Sequence, residues 1–392
     1  MNYIHELKIW PNFIWNYKEI VPLLSETRGQ VGRLLGRMES LGFDLRREAV
    51  LKTLTMDVVK NSEIEGEILP EQAVRSSIAR KLGIHVAGLV PSDRHVDGIV
   101  EMMLNATQNF DQPLTADRMF GWHNCLFPSG RSGLHQITVA HWRTDKKGPM
   151  RVVSGPIGRE KIHYEAPAAK RLKKEMKFFL SWLEKGDQKK NNLDPVLKAA
   201  MAHFWFIMIH PFDDGNGRIA RALTDMLLAR ADGSKDRFYS MSTQILKERN
   251  AYYKTIQKVQ SHLNTLKISH GFAELFPGKA SEGVDVTPWI KWFLECLNQS
   301  VLTTEEILKE VFRKARFWKK FAAIPLNERQ KIMIHKLFDN FEGKLTTSKW
   351  AKITKCHQDT AHRDILDLID KGMMKKNPGS GRSTSYSLIM NF

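Results

Sequence analysis

Twelve consecutive residues, His210-Pro211-Phe212-Asp213-Asp214-Gly215-Asn216-Gly217-Arg218-Ile219-Ala220-Arg221, bring together a base, a carboxylate, a glycine-flanked asparagine and two arginines. Glycines on both sides of Asn216 let backbone N–H groups converge on an anion, because glycine adopts the left-handed conformations such a loop needs. An apolar helical run begins near Arg218, so its positive end faces the same anion. Arg218 and Arg221, three apart, project from one helix face and suit two phosphate oxygens. Asp214 is placed to hold Mg²⁺ against those phosphates, and His210 to take a proton from an incoming hydroxyl.

A helix must deliver this string. Pro195 to Ile209 is apolar on nearly every side apart from Lys198 and His203, the pattern of a central helix in an all-α domain. Lys18 to Leu41 and Arg47 to Val59 carry amphipathic helical spacing, and residues 1 to about 85 read as helical throughout. Asn61-Ser62-Glu63-Ile64-Glu65-Gly66 is an acidic helix end closed by glycine. Asp93 to Leu126 is helical with a break at Asp111 to Leu114, Pro128 to Gly133 is a loop, and Pro167 to Leu183 is a basic amphipathic helix. Ile137 to Pro156 mixes β-formers with Gly148, Pro149 and Gly155, which predicts a hairpin. Lys185 to Asn192 reads as an exposed turn, and Thr287-Pro288 opens a further helix.

The whole chain sets the boundaries. Its 392 residues suffice for two or three domains, and a formal net charge of +17 favours anionic partners: nucleotide, acidic protein or nucleic acid. Three widely spaced cysteines, Cys125, Cys296 and Cys356, argue against a disulfide framework and a structural zinc site. No apolar run approaches membrane-spanning length and no signal-peptide pattern opens the chain, so a soluble, cytoplasmic protein is expected.

The twelve-residue string resembles the signature of the Fic (filamentation induced by cAMP) family, H-P-F-x-[D/E]-G-N-G-R-x-x-R, at every defined position. The resemblance covers about residues 90 to 300. It implies a mainly α protein, a Fic-type helical bundle with a small β-hairpin flap, that transfers AMP from ATP to a Ser, Thr or Tyr hydroxyl of a target protein. In that reading His210 is the base, Asp214 binds Mg²⁺ and Gly215, Asn216 and Gly217 form the anion hole. Arg218 meets the inner phosphates and Arg221 the γ-phosphate. Tyr252 and Tyr253 resemble paired tyrosines bordering an adenine pocket. The flap, assigned to Ala140–Arg143 followed by Met150–Gly155, would clamp the target through backbone groups of Val152 and Val153.

Many Fic proteins also carry an inhibitory helix, [S/T]-x-x-x-E-[G/N], whose glutamate pairs with the second motif arginine. Glu65-Gly66 fits its end, while the opening position is Asn61, with Ser62 one residue later. The expected regulatory set is therefore Ser62, Glu65 and Gly66, and in some relatives the glutamate also supports removal of AMP. Modification of the chain itself and a homodimer are compatible with this reading.

The C-terminal segment is a separate module. Glu328 to Phe338, Thr347 to Ile353 and Gln358 to Ile369 read as three short helices, followed by strand-like Gly372 to Lys376 and Ser385 to Met390, resembling a winged helix-turn-helix. Gln358, Thr360, His362 and Arg363 stand near the start of the second helix of the pair, and Lys355 and Arg382 suit phosphates. From Leu326 onward twelve basic residues face seven acidic ones. DNA is therefore a candidate partner, and a nucleotide-sensing transcriptional regulator the alternative to the enzyme. The expected division is 1–89 helical extension, 90–300 catalytic domain, 301–325 helical connector and 326–392 winged helix.

Overall fold

The computed structural model describes residues 3–390 except 87, 147, 155–158, 160, 186–192, 261–264, 269, 276–281, 339–340, 342 and 380–383. The expected turn at Lys185 to Asn192 and the side chain of Arg382 lie outside that set. In chain order the elements are β1 (Phe13–Asn16), α1 (Tyr17–Glu39), α2 (Phe43–Ile64), α3 (Glu71–Leu82), α4 (Arg94–Gln108), α5 (Ala116–Leu126), β2 (Arg131–Ser132), β3 (His135–Gln136), β4 (Arg151–Ser154) and β5 (Lys161–Glu165). There follow α6 (Ala169–Lys185), α7 (Pro195–Ile209), α8 (Asn216–Asp232), α9 (Met241–Lys247), α10 (Arg249–Gln260), β6 (Thr265–Lys267), β7 (Phe272–Glu274), β8 (Glu282–Asp285) and α11 (Thr287–Ile307). The chain ends with α12 (Lys309–Lys320), α13 (Glu328–Phe338), α14 (Thr347–Thr354), α15 (Gln358–Asp370), β9 (Met374–Lys376) and β10 (Tyr386–Leu388).

The molecule is mainly helical with small sheets and divides into two units, Met1–Ser40 with Arg47–Glu306, and Leu41–Arg46 with Ile307–Phe392. In the first unit α7 is the central helix: Phe204, Trp205 and Phe206 are fully buried, so apolar side chains are needed all round it. Asp194 caps its start by accepting from the Val196 N–H, with Pro195 at the first position, where the missing donor costs nothing. Among the described residues no helix is long and apolar enough to cross a membrane.

Three sequence expectations change. The N-terminal segment is not wholly helical: β1 joins a four-stranded sheet of order β6-β8-β1-β7, parallel to β8 and antiparallel to β7. Its three apolar residues, Phe13-Ile14-Trp15, are all buried, so no period-2 alternation marks them as a strand. The hairpin forms further along the chain than expected. Its first strand, β4, pairs with β5 at 161–165 and not with Ala140–Arg143, which has no strand structure. Gly155 lies outside the described residues. The connector 301–325 is not a separate element, since Val301–Ile307 completes α11 while Phe317 and Phe321 belong to the hydrophobic core of the second unit.

That second unit packs α12–α15 and the β9–β10 hairpin around Met333, Ile334, Trp350, Ile365 and Leu368. Asp364 on α15 is tied to Arg329 of α13 at 2.7 Å and to Asn327 at 2.8 Å.

Candidate active site

Helix α7 ends at His210, whose φ of 50° and ψ of 60° place a non-glycine residue in the left-handed region. That conformation turns the chain and is held from two sides. The His210 N–H donates to the Phe206 carbonyl at 3.0 Å, and Arg143 Nε donates to the His210 carbonyl at 2.8 Å. The buried Arg143 also receives the turn through its own N–H, which donates to the Pro211 carbonyl at 2.9 Å. The ring is oriented as well: Nδ1 lies 3.3 Å from the Ile207 carbonyl, which can only accept. Nδ1 therefore carries the proton and Nε2 keeps its lone pair. Desolvation, then the positive charge of Arg143, pushes the His210 pKa down to about 4, so the imidazole is neutral at physiological pH.

The loop after His210 is closed by Asn216, whose side chain accepts from the Phe212 N–H at 3.0 Å and donates to the Phe212 carbonyl at 2.9 Å. Gly215 is the N-cap of α8 with φ 80°, and a Cβ there would lie 2.8 Å from the Phe127 ring. Only glycine satisfies both the conformation and the space. Asp214 accepts from the Gly215 N–H at 2.5 Å and from the Ser132 hydroxyl, while Asp213 accepts from the Thr138 N–H at 2.8 Å. His123 stacks on Phe212 and is neutral, its pKa lowered to about 4 by burial. Its Nδ1 accepts from the Ala140 N–H at 3.2 Å and its Nε2 donates to the Asp214 carbonyl at 3.1 Å.

Both motif arginines are buried and already engaged. Arg221 donates from Nε to Asn61 Oδ1 at 2.6 Å, and from Nη2 to the Asn61 carbonyl at 3.1 Å and to Glu65 Oε1 at 2.6 Å. Arg218 lies over the Phe127 ring, 5.0 Å from its centroid, and donates from Nη1 to Glu67 Oε2 at 2.9 Å. Glu67 also binds His95, which lowers the acid's pKa and raises that of the imidazole. Two guanidinium nitrogens, Arg221 Nη1 and Arg218 Nε, are buried without a hydrogen-bond partner among the described residues.

Gly66 builds the acidic corner. With φ 85° it closes α2 in a Schellman turn: the Gly66 N–H donates to the Glu63 carbonyl at 3.0 Å and the Glu67 N–H to the Ser62 carbonyl at 3.1 Å. Ser62 thus acts through its backbone, and its buried hydroxyl has no partner among the described residues. Asn61, at the opening position of the inhibitory pattern, reaches Arg221 with its side-chain amide oxygen and its carbonyl.

Two cavities meet at Glu65. One, of about 690 Å³, is lined by Glu67, His95, Ser132, Asp214 and Arg218. The other, of about 470 Å³, is lined by His210, Gly217, Val152, Val153, Ile207 and Tyr253 among others. Glu65 lines both, and its Oε1 would stand 2.1 Å from a Cβ on Gly217. Tyr252 also borders the second cavity, but its hydroxyl belongs to the core, 2.9 Å from His203 Nε2; Tyr253 is exposed, with Arg249 over its ring. Val152 and Val153 lie on β4, where the pairing register with β5 shifts between them. On the second unit, Lys355 takes a left-handed φ of 53° between α14 and α15, and Gln358, His362 and Arg363 are exposed, with Thr360 half-buried.

Arg143, His123, Glu67 and His95 were not singled out from the sequence. Glu67 alone carried a signal, an acid two positions beyond Glu65 across the glycine.

Residues 113–228 match the Fic/DOC family, and residues 3–84 match DUF4172, a domain of unknown function. The chain is 28% identical over 98 residues to the protein adenylyltransferase fic-1 of Caenorhabditis elegans, 25% of this chain and 18% of that one. It is 45% identical over 65 residues to the protein adenylyltransferase Fic of Nematostella vectensis, covering 17% and 15%. It is 32% identical over 123 residues to a uridine 5′-monophosphate transferase of Xanthomonas campestris pv. campestris (strain 8004), covering 30% and 21%. The matched segments thus span about a fifth or less of those relatives' lengths. A Fic family protein from Desulfovibrio desulfuricans G20 shares the fold, with a TM-score of 0.56 at 19% identity over 95% of this chain and 96% of that one. Residues 113–228 of the chain thus carry a segment matching the Fic/DOC family, behind an N-terminal segment matching DUF4172, and the chain is distantly similar to protein adenylyltransferases.

Proposed function

We propose that the protein transfers AMP from ATP to a hydroxyl side chain of a target protein, and that Glu65 restrains it. The observation that carries this reading is the arrangement around Glu65. A neutral histidine with a free Nε2 and a helix N-terminus with two arginines share one site, and a carboxylate stands between its two halves. The unpartnered Arg221 Nη1 and Arg218 Nε are the donors an absent polyanion would take.

The Mg²⁺ fits on donor chemistry. Asp214 and the Ser132 hydroxyl are hard oxygens beside the larger cavity, and no group of three His, Cys, Asp or Glu residues suited to a metal exists among the described residues. A single carboxylate suits Mg²⁺, which takes its remaining ligands from phosphates and water. When bound, the ion neutralises charge on the phosphates.

The chain's own groups do the rest. The target hydroxyl forms its bond to the α-phosphorus as the bond from that phosphorus to the bridging oxygen breaks and pyrophosphate leaves. The hydroxyl proton passes to His210 Nε2. The Gly215–Gly217 turn and the α8 N-terminus meet the phosphates, Arg218 the inner ones and Arg221 the γ-phosphate. The base occupies the second cavity beside Tyr253, Ile207 and Met208, with Val152 and Val153 on the flap side, where the target chain pairs with β4.

The test is incubation of wild type, Glu65→Gly and Glu65→Gly/His210→Ala with Mg²⁺ and either ATP or UTP, followed by intact-mass measurement. An AMP adduct confined to the single variant supports the reading. A UMP adduct instead replaces the nucleotide and keeps the reaction class. Loss of AMP from a pre-modified target in wild type, abolished by Glu65→Gly, identifies AMP removal.

A second reading, a nucleotide-sensing DNA-binding regulator, is favoured by one observation. Lys355, Gln358, His362 and Arg363 are exposed around the first turn of α15, the second helix of a helix-turn-helix pair. Binding to duplex DNA that weakens steeply with salt and with Arg363→Ala would support it.

A further inference from the structure

Resting on the nucleotide reading above, we propose that Glu67 is a second inhibitory carboxylate, which occupies Arg218 as Glu65 occupies Arg221. The inner and outer phosphate positions are then closed by separate acids.

The geometry comes from one turn. The Schellman closure at Gly66 places residue 65 and residue 67 on either side of a left-handed glycine, and the two carboxylates reach arginines three positions apart on α8. The contacts are similar: Glu65 to Arg221 at 2.6 Å and Glu67 to Arg218 at 2.9 Å, with both acids about one-third exposed and both guanidinium groups buried. Each acid stops short of saturating its arginine, since Arg221 Nη1 and Arg218 Nε remain unpartnered among the described residues. One carboxylate per arginine, with a donor left over, is the state expected when an incoming phosphate displaces each acid in turn.

Orienting Arg218 does not require Glu67. Its guanidinium already lies on the Phe127 ring and its side chain is 8% exposed, so packing fixes it. What Glu67 adds is competition for a hydrogen-bond donor at the edge of the cavity that also holds Asp214. His95, from the separate helix α4, holds the other carboxylate oxygen and remains a partner for Glu67 once Arg218 is taken by phosphate. Release of Glu67 from Arg218 therefore leaves its carboxylate hydrogen-bonded to His95, which lowers the cost of the displacement. Removing Glu65 alone opens the γ-phosphate position and leaves the inner one contested.

The experiment measures Mg²⁺–ATP and adenosine affinities calorimetrically in Glu65→Gly/His210→Ala, with and without Glu67→Gln, a near-isosteric change. The expected result is ATP binding tightened about tenfold by Glu67→Gln, with adenosine affinity unchanged, because adenosine lacks the phosphates that compete with Glu67. In the matching variants that retain His210, AMP incorporation at subsaturating ATP should rise by a similar factor. Unchanged or weaker ATP binding on Glu67→Gln, with adenosine still bound, overturns the proposal and makes Glu67 a positioning residue for Arg218. Folded variants that bind neither ATP nor adenosine overturn the nucleotide reading itself, and this proposal with it.

Discussion

Replacing Glu65 by glycine should activate the protein, and the size of the effect follows from what Arg221 keeps. Its guanidinium has three contacts, two from Asn61 on the last turn of α2 and one from Glu65 just after it. Truncation at 65 removes only the last, so the guanidinium stays where it is and exchanges a carboxylate for a vacant donor. A hydrogen bond between charged groups contributes ~1.5–3 kcal/mol, and Arg221 is shielded from solvent while Glu65 is partly exposed. We take about 2 kcal/mol, which is roughly thirtyfold in the competition with a phosphate. The assay is initial-rate incorporation of labelled AMP at subsaturating ATP, with circular dichroism to verify the fold. A folded Glu65→Gly within about twofold of wild type would refute the reasoning, because the contact at 2.6 Å would then have no share in holding the nucleotide out.

Three further outcomes are expected. His210→Ala in the Glu65→Gly background should lower the rate by about 10²–10⁴ while ATP affinity stays within a few-fold; because the His210 pKa is about 4, the free-enzyme rate should be flat from neutrality to about pH 5 and fall only below that, as kcat/KM against pH would show. Stability should decline on acidification: the folded pKa values of His123, His203 and His210 lie near 4, 3 and 4, so the unfolded chain takes up protons below about pH 6.5 that the folded one refuses. Their contribution is complete above that pH and shrinks as pH falls toward 4, a trend measured as Tm between pH 7 and 4.5. Gly215→Ala should lower stability by about 1–3 kcal/mol and weaken ATP binding, since its φ of 80° and the Phe127 ring at 2.8 Å both oppose a side chain; denaturant unfolding and calorimetry check each part.

What the sequence made legible was the chemistry carried by neighbours along the chain. His210 through Arg221 are consecutive, and Asn61, Glu65 and Gly66 follow helical spacing, so their types and intervals describe a site before any folding is known. The unread parts depend on residues brought from far away. Arg143 supports His210 across 67 positions, and Glu67 meets Arg218 across 151. Strand β1 is a strand only because β7 and β8 come to it from more than 250 residues downstream. Strand β4 lies where a strand was expected but pairs with β5 and not with Ala140–Arg143, since strand composition carries no register.

These distant contacts change how the N-terminal region should be regarded. The DUF4172 match ends at residue 84 and the Fic/DOC match begins at 113, yet the turn at 65–67 that lies against α8 belongs to the first. Its Asn61 and Glu65 complete the hydrogen bonding of Arg221, and its β1 holds β7 and β8 in one sheet ahead of α11. Arg221 is 1% exposed, and a guanidinium that deeply buried requires compensating acceptors wherever they come from. Those acceptors come from the end of α2 and the turn after it, so a chain cut between residues 84 and 113 would strip Arg221 of them and open that face of α8 to solvent. Apart from Leu41–Arg46, the two matched segments lie in one compact unit, and the Asn61 and Glu65 contacts with Arg221 are part of what holds it together.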